Sequence, residues 1–107
     1  MLDTGRRTRT HPMGKLFDTI RQLAAEEKYV VGEHAVLRLE ERGILEWQAV
    51  YGLECGELIL ERANDKPNPA VEVRERLLDG TEFKAVWSYL RRSGVAKLVT
   101  VHFLDEV

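Results

Sequence analysis

The spacing of apolar residues changes once along this chain, at Gly56, and that change constrains the fold more than any other feature. Before Gly56, apolar residues recur every three or four positions, which is typical of amphipathic helices. After Gly56 they fall in short runs bounded by turn residues, which is typical of strands. Helices followed by consecutive strands predict an α+β domain, in which two or three N-terminal helices pack on one face of an antiparallel sheet.

The first half of the chain contains three helical patterns and one short extended segment, Tyr29–Val31. The helices are predicted at about residues 15–27, 33–42 and 46–54. We expect the second helix to end at Gly43 in the left-handed conformation, with Leu39 and Ile44 as the apolar pair that accompanies such an end. We expect the third helix to bury Trp47, Val50 and Tyr51, and its internal Gly52 weakens it by about 1 kcal/mol.

The second half contains four strand patterns joined by turn residues. The strands are predicted at about residues 57–61, 71–77, 82–90 and 97–104. Asp79-Gly80 is a strong hairpin signal, and Arg92-Ser93-Gly94 predicts a second tight connection. The sheet is therefore expected to have about four strands, with Trp87 in the core because it lies among apolar residues at strand spacing.

Length and charge divide the chain into a tail and a single domain. At 107 residues it forms one domain, which we place at residues 14–107, after a disordered basic tail at residues 1–13. Residues 1–15 hold four bases and one acid, a local charge of +3, whereas residues 16–107 carry −5. An acidic body is a poor non-specific ligand for a phosphate backbone.

Composition also excludes several classes of protein. No apolar run approaches the ~20 residues of a membrane-spanning helix, and no secretory signal is present, so we expect a cytoplasmic protein with no membrane partner. Cys55 is the only cysteine, which excludes an internal disulfide, and we expect it to be a small buried side chain. The three histidines, His11, His34 and His102, have no metal-binding spacing, so neither a metal nor a cofactor is expected.

Residues 34–44, with the sequence HAVLRLEERGI, form the most informative segment. On a helix, His34, Arg38 and Glu41 lie along a stripe separate from the apolar side. An imidazole beside a guanidinium is what RNA cleavage by 2′-hydroxyl attack requires, since one group moves the proton and the other stabilises charge on phosphorus. The same stripe is also typical of an ordinary solvated helix face, and its spacing alone leaves both interpretations open.

This segment resembles the HAxxRxxERGI signature of domain-of-unknown-function family 4258, which is related by fold to the RelE and BrnT group of bacterial toxins. Further segments resemble the family in the same order along the chain, so that the similarity covers about residues 15–105. These segments are KYVV at residues 28–31, GELILE at 56–61, DKPNP at 65–69 and LVTV at 98–101. The resemblance implies a RelE/BrnT-like fold.

The resemblance also implies a function and a set of site residues. It implies a metal-independent endoribonuclease, an mRNA interferase of a toxin–antitoxin pair, with RNA and an antitoxin protein as partners. The catalytic residues would be His34, Arg38, Lys84 and His102. Lys84 stands where many members have histidine, and His102 stands where many have tyrosine. His102 or His34 would take the 2′-hydroxyl proton, while Arg38 and Lys84 would stabilise the phosphate charge.

Two other functions remain open. The acidic body favours a non-catalytic interaction module on the same fold, which would bind a partner protein or self-associate through an exposed strand edge. Alternatively, the basic tail alone could bind nucleic acid. The nuclease hypothesis requires a local positive patch, for which Arg38, Lys84, Arg91 and Arg92 would have to converge.

Overall fold

The computed structural model of the protein describes residues 14–104, which form three helices and one five-stranded sheet. The helices are α1 (Lys15–Ala25), α2 (Glu33–Arg42) and α3 (Glu46–Glu54). The strands are β1 (Tyr29–Val31), β2 (Glu57–Arg62), β3 (Ala70–Arg76), β4 (Glu82–Leu90) and β5 (Val95–Phe103). The α+β class is thus confirmed, while the predictions for residues 1–13 and 105–107 lie outside the described part of the chain.

The sheet has the strand order β1-β5-β4-β3-β2. The four predicted strands are present and pair antiparallel, but β1 adds a fifth strand, parallel to β5, with Tyr29 opposite Ala96. The prediction of about four strands was therefore one short. A strand of three residues is too short to show alternation, and its partner lies near the other end of the chain.

The end of α2 confirms the predicted glycine stop. Gly43 has a φ of 67°, in the left-handed region, and its N–H donates to the carbonyl of Glu40 at 3.3 Å. The Ile44 N–H donates to the carbonyl of Leu39 at 3.0 Å, which completes a Schellman motif. Leu39 and Ile44 are both buried, so the same turn also attaches α2 to the core.

All three helices contribute to one core against the sheet. Its fully buried residues include Ile20 from α1, Ala35 from α2 and Leu53 from α3, together with Phe83 and Trp87 from β4. The burial of Trp87 is confirmed. Within residues 14–104, no helix combines the length and apolar character needed to cross a bilayer.

The buried side of α3 differs from the prediction. Of the three predicted residues, Val50 is partly buried and packs against the core. Trp47 and Tyr51 are 55% and 72% exposed, and the helix buries Ala49 and Leu53. The reason is close packing, because a Cβ at Gly52 would lie 2.9 Å from a carboxylate oxygen of Glu75 on β3. At Gly52 the approach of α3 to Glu75 leaves little space for a side chain, and the large aromatic rings of Trp47 and Tyr51 face outward.

Two further sequence features, Gly52 and Cys55, lie on the last turn of α3 or directly after it. Gly52, which weakens the helix by propensity, is the residue at which α3 approaches β3. The predicted burial of Cys55 is wrong: it lies at the C-terminal end of α3, where its side chain is exposed.

Glu75 is a buried carboxyl in this core. It is 2% exposed, and its Oε2 accepts a hydrogen bond from the indole N–H of Trp87 at 3.2 Å. The Trp87 N–H needs such a partner because it has no access to water. Burial raises the pKa of Glu75 well above its ordinary value, and the hydrogen bond from Trp87 only partly offsets this effect.

This pKa shift predicts the pH dependence of a Glu75→Gln variant. When folding raises the pKa of an acid, its contribution to stability is full below the unfolded pKa, about 4.5, and declines as the pH rises through the folded pKa. Glutamine keeps the shape and an acceptor for Trp87 but has no proton to lose. The stability of the variant relative to wild type should therefore increase from pH 4 to pH 8. Urea unfolding across this range measures the difference, and a difference independent of pH would contradict the prediction.

Candidate functional site

The face of the sheet opposite the helices carries most of the polar side chains of the strands. On β4, Phe83, Ala85 and Trp87 point into the core, so Lys84, Val86 and Ser88 lie on the other side. We call this side the open face. Through the strand register it comprises Glu57, Leu60 and Arg62 on β2, Glu72, Arg74 and Arg76 on β3, Glu82, Lys84, Val86 and Ser88 on β4, and Lys97, Thr100 and His102 on β5.

Two of the four predicted site residues meet on the open face. Lys84 and His102 are directly opposite each other in the antiparallel pair of β4 and β5. Directly paired residues have their Cβ atoms about 5 Å apart, so the two side chains are neighbours. The ammonium of Lys84 lies 3.1 Å from Oε1 of Glu72 and is only partly exposed.

Glu72 holds two cations at once. Its Oε1 accepts from Lys84, and its Oε2 accepts from Nη1 of Arg62. Arg62 also donates from Nε to Asp65 at 2.7 Å. With 14% of its side chain exposed, Glu72 is the least exposed member of this group, which therefore restricts the position of Lys84.

Glu72 and Arg62 were not predicted as site residues. The sequence of β3 does show alternating apolar and charged residues. This alternation puts Glu72 on the same face as Lys84 once the strand register is known. The register itself depends on the hairpin at Asp79-Gly80, and the pairing of opposite charges across the strands then follows.

The other two predicted residues lie on α2, which packs against β5. His34 is exposed on the first turn, and Arg38 follows one turn later. Nη1 of Arg38 donates to Oε1 of Glu41 at 2.5 Å, and this contact is the main cause of the lowered pKa of Glu41. Among residues 14–104, neither His34 nor Arg38 forms a hydrogen bond or ion pair with Lys84.

A second group of cations lies at the far end of the β4–β5 hairpin. Lys66 directly precedes Pro67, whose carbonyl contacts Arg91, and we call Lys66, Arg91 and Arg92 the hairpin-end patch. Nη1 of Arg91 donates to the carbonyl of Pro67 at 3.0 Å. The backbone N–H of Arg91 donates to Oδ1 of Asn68 at 3.0 Å. Between residues 14 and 104, no carboxylate forms an ion pair with these three cations.

The hairpin-end patch borders a cavity of about 450 Å³, which is lined by Pro67, Asn68, Leu90, Arg91, Arg92 and Ser93. Lys84 and Arg91 are separated by most of the length of β4, about 20 Å at strand spacing. The expected convergence of Arg91 and Arg92 with Lys84 is therefore not observed. The two groups of cations lie at opposite ends of β4.

The described residues offer no metal centre. Within residues 14–104, no three His, Cys, Asp or Glu side chains come close enough together to hold a metal ion. The site instead contains an imidazole and an ammonium side by side, with a carboxylate that positions the ammonium. Such a set can bind an anion and transfer a proton.

The fold and this site define a class of small α+β domain with a polar sheet face and a histidine- and arginine-bearing helix at its edge. The family model described as "Domain of unknown function (DUF4258)" matches residues 31–103, which is more than half of the chain. The chain belongs to this family. The match runs from the end of β1 to the end of β5 and includes all four predicted site residues. Searches of curated proteins and of solved structures found no match.

The double ion pair of Glu72 predicts a stability difference within the open face. Glu72→Gln removes a partly buried acceptor of two charged donors and should destabilise the protein by about 1–2 kcal/mol. Glu57→Gln is the matched control, because Glu57 is a mostly exposed partner of Arg74 on the same face. The control should change stability by less than about 0.5 kcal/mol. Urea unfolding of both variants at neutral pH is the measurement. Equal losses of stability in the two variants would contradict the prediction that Glu72 stabilises the open face more than Glu57 does.

Proposed function

We propose that this protein is a metal-independent endoribonuclease of the RelE/BrnT toxin type, which cleaves messenger RNA in the cytoplasm and is neutralised by an antitoxin protein. The observation that supports the proposal most is the direct pairing of Lys84 with His102 on the open face. In the proposed site, His102 supplies the group that transfers the proton, and Lys84 supplies a positive charge for the same phosphodiester.

The proposed reaction is an internal transfer at phosphorus. The His102 imidazole takes the proton of the ribose 2′-hydroxyl, and the 2′-oxygen then attacks the adjacent phosphorus. The 5′-oxygen leaves as its bond to phosphorus breaks, and it takes up a proton. The products are a 2′,3′-cyclic phosphate and a 5′-hydroxyl. Lys84 stabilises the negative charge that builds up on the phosphate oxygens.

Arg38 and His34, the two predicted site residues on α2, have supporting roles in the proposed reaction. α2 packs against β5 from the helical side, whereas His102 lies on the open face, so Arg38 would act as a second cation where the RNA extends past the edge of the sheet. Its contact with Glu41 is partly exposed, so exchanging this partner for a phosphate costs little. His34 is the alternative base, or the acid that protonates the leaving oxygen.

The hairpin-end patch provides a local positive charge on a domain whose net charge is negative, which RNA binding requires. Lys84 is partly neutralised by Glu72, whereas Lys66, Arg91 and Arg92 have no carboxylate partner among the described residues. Phosphate contacts supply most of the sequence-independent affinity for nucleic acid. We propose that a single RNA strand extends along β5, past the partly exposed Thr100 and Lys97, with one end at the hairpin-end patch and the cleaved phosphate at Lys84.

The cleavage proposal predicts which variants lose activity. His102→Ala should lower the rate of cleavage of a single-stranded RNA by about 100-fold or more, because the reaction loses its base. Lys84→Met should lower the rate by a similar order, and Lys28→Met is the control, because Lys28 is an exposed lysine paired with Glu26 outside the open face. EDTA should not change the rate. Gel analysis of end-labelled RNA is the measurement, and the 2′-deoxy form of the same oligonucleotide should remain intact.

Three experimental outcomes would change the assignment of the base or contradict the nuclease proposal. If His34→Ala abolishes cleavage and His102→Ala does not, His34 is the base and the pairing of Lys84 with His102 has another role. If the wild-type chain neither cleaves RNA nor arrests growth on induction in bacteria, the nuclease proposal is wrong. Cleavage of DNA at the rate of RNA would contradict the use of the 2′-hydroxyl.

The RNA path predicts a salt dependence. Arg92→Ala and Lys66→Ala should each reduce the slope of log affinity against log salt by about 0.7, the value for one phosphate contact with a single strand. Arg21→Ala and Lys28→Ala are the controls, because these cations are outside the open face and are paired with Asp18 and Glu26. The measurement is fluorescence anisotropy with a 2′-deoxy oligonucleotide, which is not cleaved. Larger slope changes in the control pair would contradict the proposed path.

A non-catalytic interaction module is the second candidate function. Two observations favour it: the exposed aromatic residues Trp47 and Tyr51 on α3, and the edge strand β2, on which Ile59 and Leu60 are 42% and 47% exposed. An edge strand with unpaired backbone groups is a template for pairing with another strand, including one from a second copy. Absence of cleavage together with partner binding would select this candidate.

A further inference from the structure

Trp47 and Tyr51 form an exposed aromatic pair that the fold does not need for its core. They are four residues apart on α3 and therefore lie on the same side of the helix. Their exposure leaves much of the apolar surface of both rings in contact with water, which is unfavourable in the isolated protein. Such pairs mark interaction sites, where aromatic residues supply a large part of the binding energy.

These rings border a groove between α1 and α3. We call it the aromatic groove. It has a volume of about 370 Å³, a floor of Ala24, Val50 and Leu53, and walls that include Tyr29, Trp47 and Tyr51. The size and lining suit one or two large apolar side chains rather than a polar ligand.

The rim of the aromatic groove is acidic. Glu27 and Glu54 line it, and the carboxylate of Glu46 accepts a hydrogen bond from the hydroxyl of Tyr29 at 3.4 Å. Arg21 is the basic residue among those that line the aromatic groove, but its positive charge is already paired with a carboxylate. Its Nη2 lies 3.5 Å from Asp18, and its guanidinium covers the ring of Phe17 at 4.8 Å.

We propose that the aromatic groove is the docking site for a basic amphipathic segment of a partner protein. The segment would place large apolar side chains between Trp47 and Tyr51 and lysine or arginine side chains beside Glu27 and Glu54. This is the helix-in-groove mode of peptide recognition, with charge complementarity at the rim. A second copy of this chain fits less well, because it would bring another acidic body to an acidic rim.

This proposal is independent of RNA cleavage. The aromatic groove lies on the helical side of the sheet, whereas Lys84 and His102 lie on the open face. A partner in the groove therefore leaves the proposed RNA path uncovered. Binding at the groove and cleavage at the open face can each be measured when the other is absent.

The test uses the full-length chain and two synthetic peptides. Both peptides are 18-residue amphipathic helices with the same leucine and phenylalanine face, and their polar faces carry either lysine or glutamate. Binding is followed by tryptophan fluorescence, to which exposed Trp47 should respond while buried Trp87 should not. We expect the lysine peptide to bind at least about tenfold more tightly than the glutamate peptide.

Variants of the chain locate the binding. Trp47→Ala combined with Tyr51→Ala should weaken the lysine peptide about tenfold or more, measured by anisotropy of a labelled peptide. Leu78→Ala is the matched control, since Leu78 is 92% exposed in the β3–β4 turn. Glu27→Lys combined with Glu54→Lys should weaken the lysine peptide and strengthen the glutamate peptide. The charge control is Glu40→Lys on α2, which should do neither.

Several results would overturn the proposal. Equal binding of both peptides, or equal effects of the groove variants and their controls, would show that the groove does not select a basic segment. A dimer in analytical ultracentrifugation that Trp47→Ala dissociates would assign the groove to a second copy. Tighter binding of a synthetic peptide of residues 1–13 than of the lysine peptide would assign it to this chain's own basic segment.

Discussion

The burial of Trp87 is the constraint on which the rest of the structure depends. Its indole is the largest fully buried side chain, and it lies on β4, in the middle of the sheet. Its N–H needs an acceptor in a dry environment, and Glu75 on the neighbouring strand supplies one. The carboxyl of Glu75 in turn lies against α3 at Gly52, where a side chain would leave it no space. The buried ring, its acceptor and the close approach of α3 to the sheet therefore lie at one place in the core.

The same constraint organises both candidate sites. Because strands alternate, fixing Trp87 in the core puts Lys84 on the opposite face, where the register of β4 and β5 brings it beside His102. Because α3 packs closely through its small residues, Trp47 and Tyr51 are turned outward. The protein thus has a charged face on one side of the sheet and an aromatic groove on the other. Substrate chemistry and partner binding can occupy different surfaces.

Sequence reasoning succeeded where the physical cause is local. The glycine stop at Gly43 and the strands around the β-hairpins depend on neighbouring residues, and both were predicted. It failed where the cause is distant in the chain. The pairing of Tyr29–Val31 with β5, the outward direction of Trp47 and the ion pair of Glu72 with Lys84 all depend on tertiary packing or register. The family signature identified the α2 residues, but the strand register was needed to bring Lys84 and His102 together.

The most direct test of the central claim, that the open face is an RNA site, is a residue-resolved binding measurement. A ¹⁵N-labelled full-length chain would be titrated with a single-stranded 2′-deoxy oligonucleotide, and the backbone amide shifts would be recorded by NMR. An RNA site on the open face should give the largest changes at Lys84 and His102, and these changes should continue along β5 to Arg92. Changes confined to α3, or no changes at saturating oligonucleotide, would contradict it.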